Sequence, residues 1–298
     1  MRTRFKTIAA AASLAFALGA AAQTAGGTLD KIKASGKVVL GVREASPPMA
    51  YMLGAGEKYV GYHVELCERV LKDIVPQAKL EYMAVTAQNT IALVQNGTLD
   101  IGCGPTTNNM ARQQLVAFAL TTYVSEVRMA TKVDSGIANL DQLAGRNVSA
   151  STGTTAVQLL RKRERAQNVS YNTMLGKDHL ESFLLMESGR ADAFVLDDNL
   201  LAGIIANSKN PAAYRIVGEP LGSEPIALLF RKDDPTFKTA VDDALRRLMK
   251  SGELEKIYTK WFVAPIPPKN TSLNLPMSAA LKQLIAEPND KPLEAYAK

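Results

Sequence analysis

Asn96-Gly97-Thr98-Leu99-Asp100-Ile101 and Ser188-Gly189-Arg190-Ala191-Asp192-Ala193 carry one instruction twice: a helix end, a glycine, then an aspartate entering an apolar strand. Glycine suits the left-handed turn that stops a helix. One such turn is common in α/β chains. Two in order, inside two similar rounds of alternating elements, predict a two-lobed α/β protein with largely parallel sheets. In the first round, residues 38–42 read as a strand after Gly36. Val64, Cys67, Val70, Leu71 and Ile74 share one face of a helix over 63–74. A strand over 80–85, a helix over 88–95 and a strand over 99–103 follow. The second round reads as a strand over 146–150, a helix over 154–163, a strand over 169–174, a helix over 181–187 and a strand over 191–196. Beyond it come a strand over 227–231, an amphipathic helix over 237–249 and a helix over 254–261. Pro265-Ile266-Pro267-Pro268 breaks that helix. The polar remainder, with a short helix over 277–285, reads as a wrapping tail.

The first residues predict export. Arg2, Arg4 and Lys6 precede an apolar run over 8–22 that ends in Ala20-Ala21-Ala22, the pattern of a secretory signal cut after Ala22. The run is short of the roughly 20 residues a membrane span needs. No cysteine lies near the cut, which argues against a lipid anchor. Removing the three basic residues lowers the net charge from +6 to about +3. With no Lys/Arg run interleaved with aromatics, nucleic acid is not an expected partner. Cys67 and Cys103 each sit in an apolar run, so a disulfide and two buried thiols are both open. The only histidines, His63 and His179, form no metal-ligand spacing. No GxSxG elbow or P-loop occurs, and no cofactor is expected.

Across these elements the chain resembles family 3 of the periplasmic solute-binding proteins, the polar amino-acid group, and most of all its glutamate/aspartate-binding branch. The runs that carry the resemblance include Gly41-Val42-Arg43-Glu44, Gln95-Asn96-Gly97-Thr98-Leu99-Asp100, Thr106-Thr107-Asn108-Asn109 with Arg112, Ser151-Thr152-Gly153-Thr154-Thr155, Lys177-Asp178-His179, Asp197-Asp198, Arg231-Lys232-Asp233-Asp234-Pro235 and Ile266-Pro267-Pro268-Lys269-Asn270. They span nearly the whole mature chain in one order. The resemblance implies the periplasmic binding protein fold. Lobe 1 would comprise residues 29–122 and 228–298, lobe 2 residues 123–227, joined by two crossing strands. It implies a monomer in the periplasm that closes on a polar amino acid and hands it to an inner-membrane ABC permease complex.

A zwitterionic ligand needs a cation for its carboxylate and an anion for its ammonium, both held away from water. Arg112, after the Thr107-Asn108-Asn109 turn, has the planar fork for a bidentate carboxylate grip, and the resemblance gives it that role. The alternative is an ordinary solvated arginine. Thr107 offers a hydroxyl and Pro105 a carbonyl. Ser151 and Thr154 lie between a strand and a helix start, where they serve either as an anion seat or as plain caps. Asp197 ends an apolar strand, where open α/β sheets bind ligands. It is the candidate for the ammonium, with helix capping as the alternative. The resemblance turns Arg43 and His179 toward the side chain of an acidic ligand. In glutamate/aspartate relatives, Ser, Arg and Ser typically stand where this chain has Ala87, Thr90 and Pro105. The lost arginine keeps a neutral polar or larger amino acid in play, with Thr90 left to offer one hydroxyl. An enzyme on the same fold, such as a cyclohexadienyl dehydratase, would need an acid–base pair. Glu44 and His179 are the only candidates, and no motif around them demands catalysis. A protein that presents its ligand to a membrane sensor is a further alternative.

Overall fold

The computed structural model describes residues 26–54, 56 and 58–296. The signal segment expected over 1–22 lies outside the described residues. Nine strands form one sheet: β1 (Lys37–Arg43), β2 (Lys79–Val85), β3 (Ile101–Thr107), β4 (Val116–Phe118), β5 (Tyr123–Lys132), β6 (Asn147–Ser151), β7 (Asn172–Gly176), β8 (Ala193–Asp197) and β9 (Tyr214–Arg231). Their order is β7-β6-β8-β5-β9-β3-β1-β2, with β4 also on β9. β1 pairs in parallel with β2 and β3, and β6 in parallel with β7 and β8. Between these groups run β5 and β9, antiparallel to each other. β9 reaches into both groups: Tyr214 to Ile226 pair with β5, and Ile226 to Phe230 with β3.

The repeated turn has the same structural job in both groups. Gly97 and Gly189 both adopt φ +76°, a conformation that disfavours side chains. After each, the aspartate bonds a neighbouring parallel strand twice. Asp100 N–H donates to the Val39 carbonyl at 2.9 Å, and Val39 N–H donates to Asp100 Oδ2 at 2.8 Å. Asp192 N–H donates to the Asn147 carbonyl at 2.8 Å, and Asn147 N–H donates to Asp192 Oδ2 at 3.1 Å. Each aspartate thus closes the end of a strand pair where backbone groups would otherwise go unpaired.

The helix Tyr62–Ile74 buries Val64, Cys67, Val70 and Leu71, four of the five positions on its expected face. Cys67 and Cys103 form a disulfide, with Cα atoms 6.1 Å apart, that ties this helix to β3. Several elements differ from the sequence expectation, β9 most of all, which begins at Tyr214 and not at 227. The helix expected to stop at 163 continues over Thr155–Gln167. Asn168, at φ 52°, ends it, and Val169 N–H returns to the Glu164 carbonyl. The strand expected over 169–174 therefore starts only at Asn172, while Tyr171 is buried as loop. β3 runs on to Thr107, past the expected 103, and so reaches the cleft. The tail helix, Ala279–Ala286, buries Leu281 and Leu284. After it, the Asn289 carbonyl accepts Thr121 N–H at 3.0 Å, just ahead of β5.

Candidate functional site

Six strand ends and helix starts converge on one cleft. Arg43 closes β1, Pro105 and Thr107 end β3, Ser151 closes β6, and Asp197 closes β8. His179 begins the helix His179–Glu187, and Thr154 and Thr155 begin the helix Thr155–Gln167. Arg43, Pro105, Thr107, Arg112, Thr154, His179 and Asp197 line a single small cavity with Ala87, Thr106 and Thr155. An adjoining cavity of about 130 Å³ shares Arg43, Ala87 and His179, and adds Ser151, Glu44, Ala84 and Lys177. Thr90 lines neither. It is 2 % exposed, and its hydroxyl donates to the Thr86 carbonyl at 2.6 Å.

Arg43 is buried, and among the described residues its Nε has no acceptor. Its stem lies over Gly104, where a Cβ would meet Arg43 Cγ at 3.0 Å. Burial pushes the guanidinium down to about 9; Arg112 adds to the effect and Asp197 opposes it. The group remains a cation at neutral pH. Its burial without a partner is costly unless an anion arrives. Arg112 sits in the short helix Met110–Gln113, capped by Asn109 Oδ1, which accepts Arg112 N–H at 2.9 Å. It donates through Nη1 to the Thr107 carbonyl at 2.9 Å and through Nη2 to the Gly153 carbonyl at 3.2 Å.

Opposite these cations, Asp197 Oδ1 accepts the Ser125 hydroxyl at 2.5 Å and caps no helix. Asp198 does the local backbone work, accepting from Asn199 N–H at 2.8 Å and Glu126 N–H at 3.2 Å. Burial raises the Asp197 carboxyl well above its ordinary range, the nearby Glu224 carboxyl raises it further, and Ser125 and Arg112 oppose. Thr154 does not cap its helix either; its hydroxyl donates to the Ser151 carbonyl at 2.7 Å. The first amide groups of that helix thus lack a side-chain cap, which suits an anion. His179 Nδ1 and Ser151 Oγ share a hydrogen bond at 2.8 Å. Burial, then Arg43, pushes the imidazole down to about 3, so His179 is neutral here and supplies hydrogen bonding rather than charge.

Two residues of this site escaped sequence reasoning. Glu224 is fully buried, and its Oε2 accepts hydroxyls from Thr107 at 2.6 Å and Thr155 at 2.8 Å. A signal existed: Glu224 is an acid at the front of the apolar run Pro225 to Phe230, as Asp197 is one at the end of another. Thr155 directly follows Thr154, and nothing in the sequence marks it apart from that neighbour.

Sequence comparison gives this geometry a context. The sequence profile of "Bacterial extracellular solute-binding proteins, family 3" matches residues 38–264. An L-glutamate/L-aspartate-binding protein of Pseudomonas aeruginosa is 44 % identical over 273 residues, covering 90 % of both chains. A glutamate/aspartate import solute-binding protein of Escherichia coli is 42 % identical over 296 residues, covering 95 % of this chain and 98 % of the other. In fold, the chain is similar to an ABC uptake transporter substrate-binding protein from Streptococcus pneumoniae solved with bound histidine. That match has a TM-score of 0.74 at 21 % identity and covers 80 % of this chain and 97 % of the other. With a family match over more than half its length and two relatives above 40 % identity across nearly all of it, the chain belongs to family 3 of the bacterial extracellular solute-binding proteins.

Proposed function

We propose that this protein captures an α-amino acid outside the cytoplasm and delivers it to an ABC-type importer, with L-glutamate or L-aspartate as the first ligand. It is a binding protein and not an enzyme, as its named relatives are. The observation that carries the reading is the buried Arg43 guanidinium, whose Nε has no acceptor among the described residues, sharing one small cavity with Arg112 and Asp197. Such a site is cationic on two sides and anionic on one, which matches an acidic amino acid. Arg112 and the uncapped helix start hold the α-carboxylate. Asp197, Thr107 and the Pro105 carbonyl hold the ammonium. Arg43, with neutral His179 and Ser151 beside it, takes the side chain.

A second reading, a neutral polar or larger amino acid, is favoured by the adjoining cavity. Its walls at Ala84 and Ala87 are small, and Thr90 does not reach it. In the same account, the lobes are residues 29–122 with 228–298, and residues 123–227, and they hinge where β5 and β9 cross. The chain is exported to the periplasm, cut near Ala22, and works there as a monomer without nucleic acid. A thermal-shift screen of the mature protein against the common amino acids tests the reading. Stabilisation by glutamate or aspartate supports it. A response only to a larger neutral amino acid moves the assignment to the second reading.

A further inference from the structure

Glu224 stands on β9 immediately before Pro225, where that strand passes from its β5 partners to its β3 partners. It is 0 % exposed. One of its oxygens serves both sides of the cleft. Thr107, which donates to Oε2 at 2.6 Å, ends β3 in one strand group. Thr155, which donates to the same oxygen at 2.8 Å, opens the helix that follows β6 in the other group. The two hydroxyl oxygens lie 3.4 Å apart, and both threonines line the small cavity. Oε1 is buried and, among the described residues, has no hydrogen-bond partner.

We propose that Glu224 is a positioning residue for ligand capture, drawing one threonine from each side of the cleft onto a single carboxylate oxygen and fixing the direction of both hydroxyl protons. Two consequences follow. With the lobe bounds proposed above, Glu224 and Thr155 lie in one lobe and Thr107 in the other, so the Thr107 bond to Glu224 belongs to the closed state alone, while Thr155 holds the shared oxygen in place for it. An interaction made in only one of two states shifts the equilibrium by its own worth. Second, a hydroxyl that gives its only proton to Glu224 presents lone pairs to the cavity. Those two hydroxyls then accept from a donor such as an ammonium, and the carboxylate is left to Arg112 and the backbone amides of the helix start. Glu224 thereby sets which way round the amino acid lies, through Thr107 and Thr155, without touching it. Burial raises the Glu224 carboxyl, while the two hydroxyls and Arg112 oppose the rise.

This inference rests on the proposed closure around an amino acid, and the test separates the two. Binding and dissociation of the amino acid selected in the screen are measured for wild type, Glu224→Ala, Glu224→Gln, Thr155→Val and the double variant Glu224→Ala/Thr155→Val. The α-keto acid with the same carbon skeleton is measured alongside. Glu224→Ala and Thr155→Val should each weaken binding by about ten- to a hundredfold, the worth of a hydrogen bond to a charged group. The loss should appear as faster dissociation. The double variant should lose little beyond the larger single loss, because both changes break one bond. Glu224→Gln should recover part of the loss, since an amide oxygen still accepts hydroxyls. Preference for the amino acid over its keto acid should shrink in Glu224→Ala. Thr155→Val nearly conserves volume and keeps the test decisive if Glu224→Ala folds poorly. Wild-type affinity in Glu224→Ala and Thr155→Val overturns the proposal, as does full additivity in the double variant. If wild type itself binds no amino acid, the functional reading fails and the positioning role fails with it.

Discussion

Arg112 reaches across the cleft: its Nη2 donates to the carbonyl of Gly153, on the opposite side, at 3.2 Å. The same side chain is the expected grip for the part shared by every α-amino acid. Arg112→Ala should therefore lower affinity for all ligands by at least about a hundredfold, the scale of a lost bidentate charged pair. Arg43→Ala should instead change the ranking, costing acidic ligands more than neutral ones. Calorimetric titration of both variants with glutamate and glutamine checks the contrast. Equal losses in both variants for both ligands would place the two arginines in one role.

Gly153 also packs closely against the opposite side. At φ +82°, its missing Cβ would lie 2.7 Å from the Gln88 Cα and N, both backbone atoms that cannot swing aside. A side chain at 153 is incompatible with this closed contact. Gly153→Val should leave the fold intact but hold the cleft open. In small-angle scattering, wild type should compact on saturation with ligand, and Gly153→Val should compact less and bind weakly.

The raised Asp197 carboxyl sets the pH response. Its folded pKa lies above the ordinary value near 3.9 because burial, then Glu224, disfavours its charge. In the free protein, its contribution to stability is present below that ordinary value and is lost as pH rises through the raised one. A ligand ammonium supplies the missing countercharge and favours ionised Asp197. Affinity should therefore climb as pH rises through the raised pKa, and binding within that interval should release protons. Calorimetry in two buffers of different ionisation heat reads the release directly. Proton uptake would contradict the assignment of Asp197 to the ammonium.

The alternation that predicts two α/β rounds was legible because each βα turn carries local chemistry. Gly97 with Asp100 and Gly189 with Asp192 mark equivalent strand ends, and their structural roles coincide. The crossing strands were legible only through the family resemblance. β9 contains Gly218, Pro220, Gly222 and Pro225, residues that read locally as breaks rather than strand. The site was legible where a residue ends a strand, as with Arg43 and Asp197. It was not legible where function depends on partners far away in sequence. Glu224 gains its meaning from Thr107 and Thr155, which only folding brings to it. Thr90 shows the converse: a hydroxyl expected at the ligand is turned onto the Thr86 carbonyl of its own turn.

That turn bears on the choice of ligand. Ala87 borders both cavities, while Thr90 is buried beside Gly102, whose missing Cβ would lie 3.3 Å from Thr90 Cγ2. If the ligand is acidic, Ala87→Ser combined with Thr90→Arg should tighten it by about ten- to a hundredfold, the worth of one charged bond. Glutamine should gain less. If the native ligand is larger and neutral, the same pair of changes should weaken it by filling the space. Competition titration of wild type and double variant distinguishes the two.

The Cys67–Cys103 bridge closes a loop with a sequence separation of 36 between the helix Tyr62–Ile74 and β3, the strand that carries Pro105 and Thr107. Chain entropy assigns such a loop about 4 kcal/mol. Replacing both cysteines with alanine should lower the unfolding free energy from a denaturant titration by that order. It should reduce ligand affinity less, because the groups that contact the ligand remain.

A cleft that works as a dipolar trap for an α-amino acid must read the hand of its ligand. Calorimetric titration of the mature protein, first stripped of bound ligand by unfolding and refolding, with L-glutamate, L-aspartate and their D-enantiomers measures this. An L-acid should bind one-to-one and saturably, with the D-form weaker because Arg112, Asp197 and Arg43 would fix three points around the α-carbon. Absence of saturable binding by any α-amino acid, or equal affinity for both enantiomers, would contradict it.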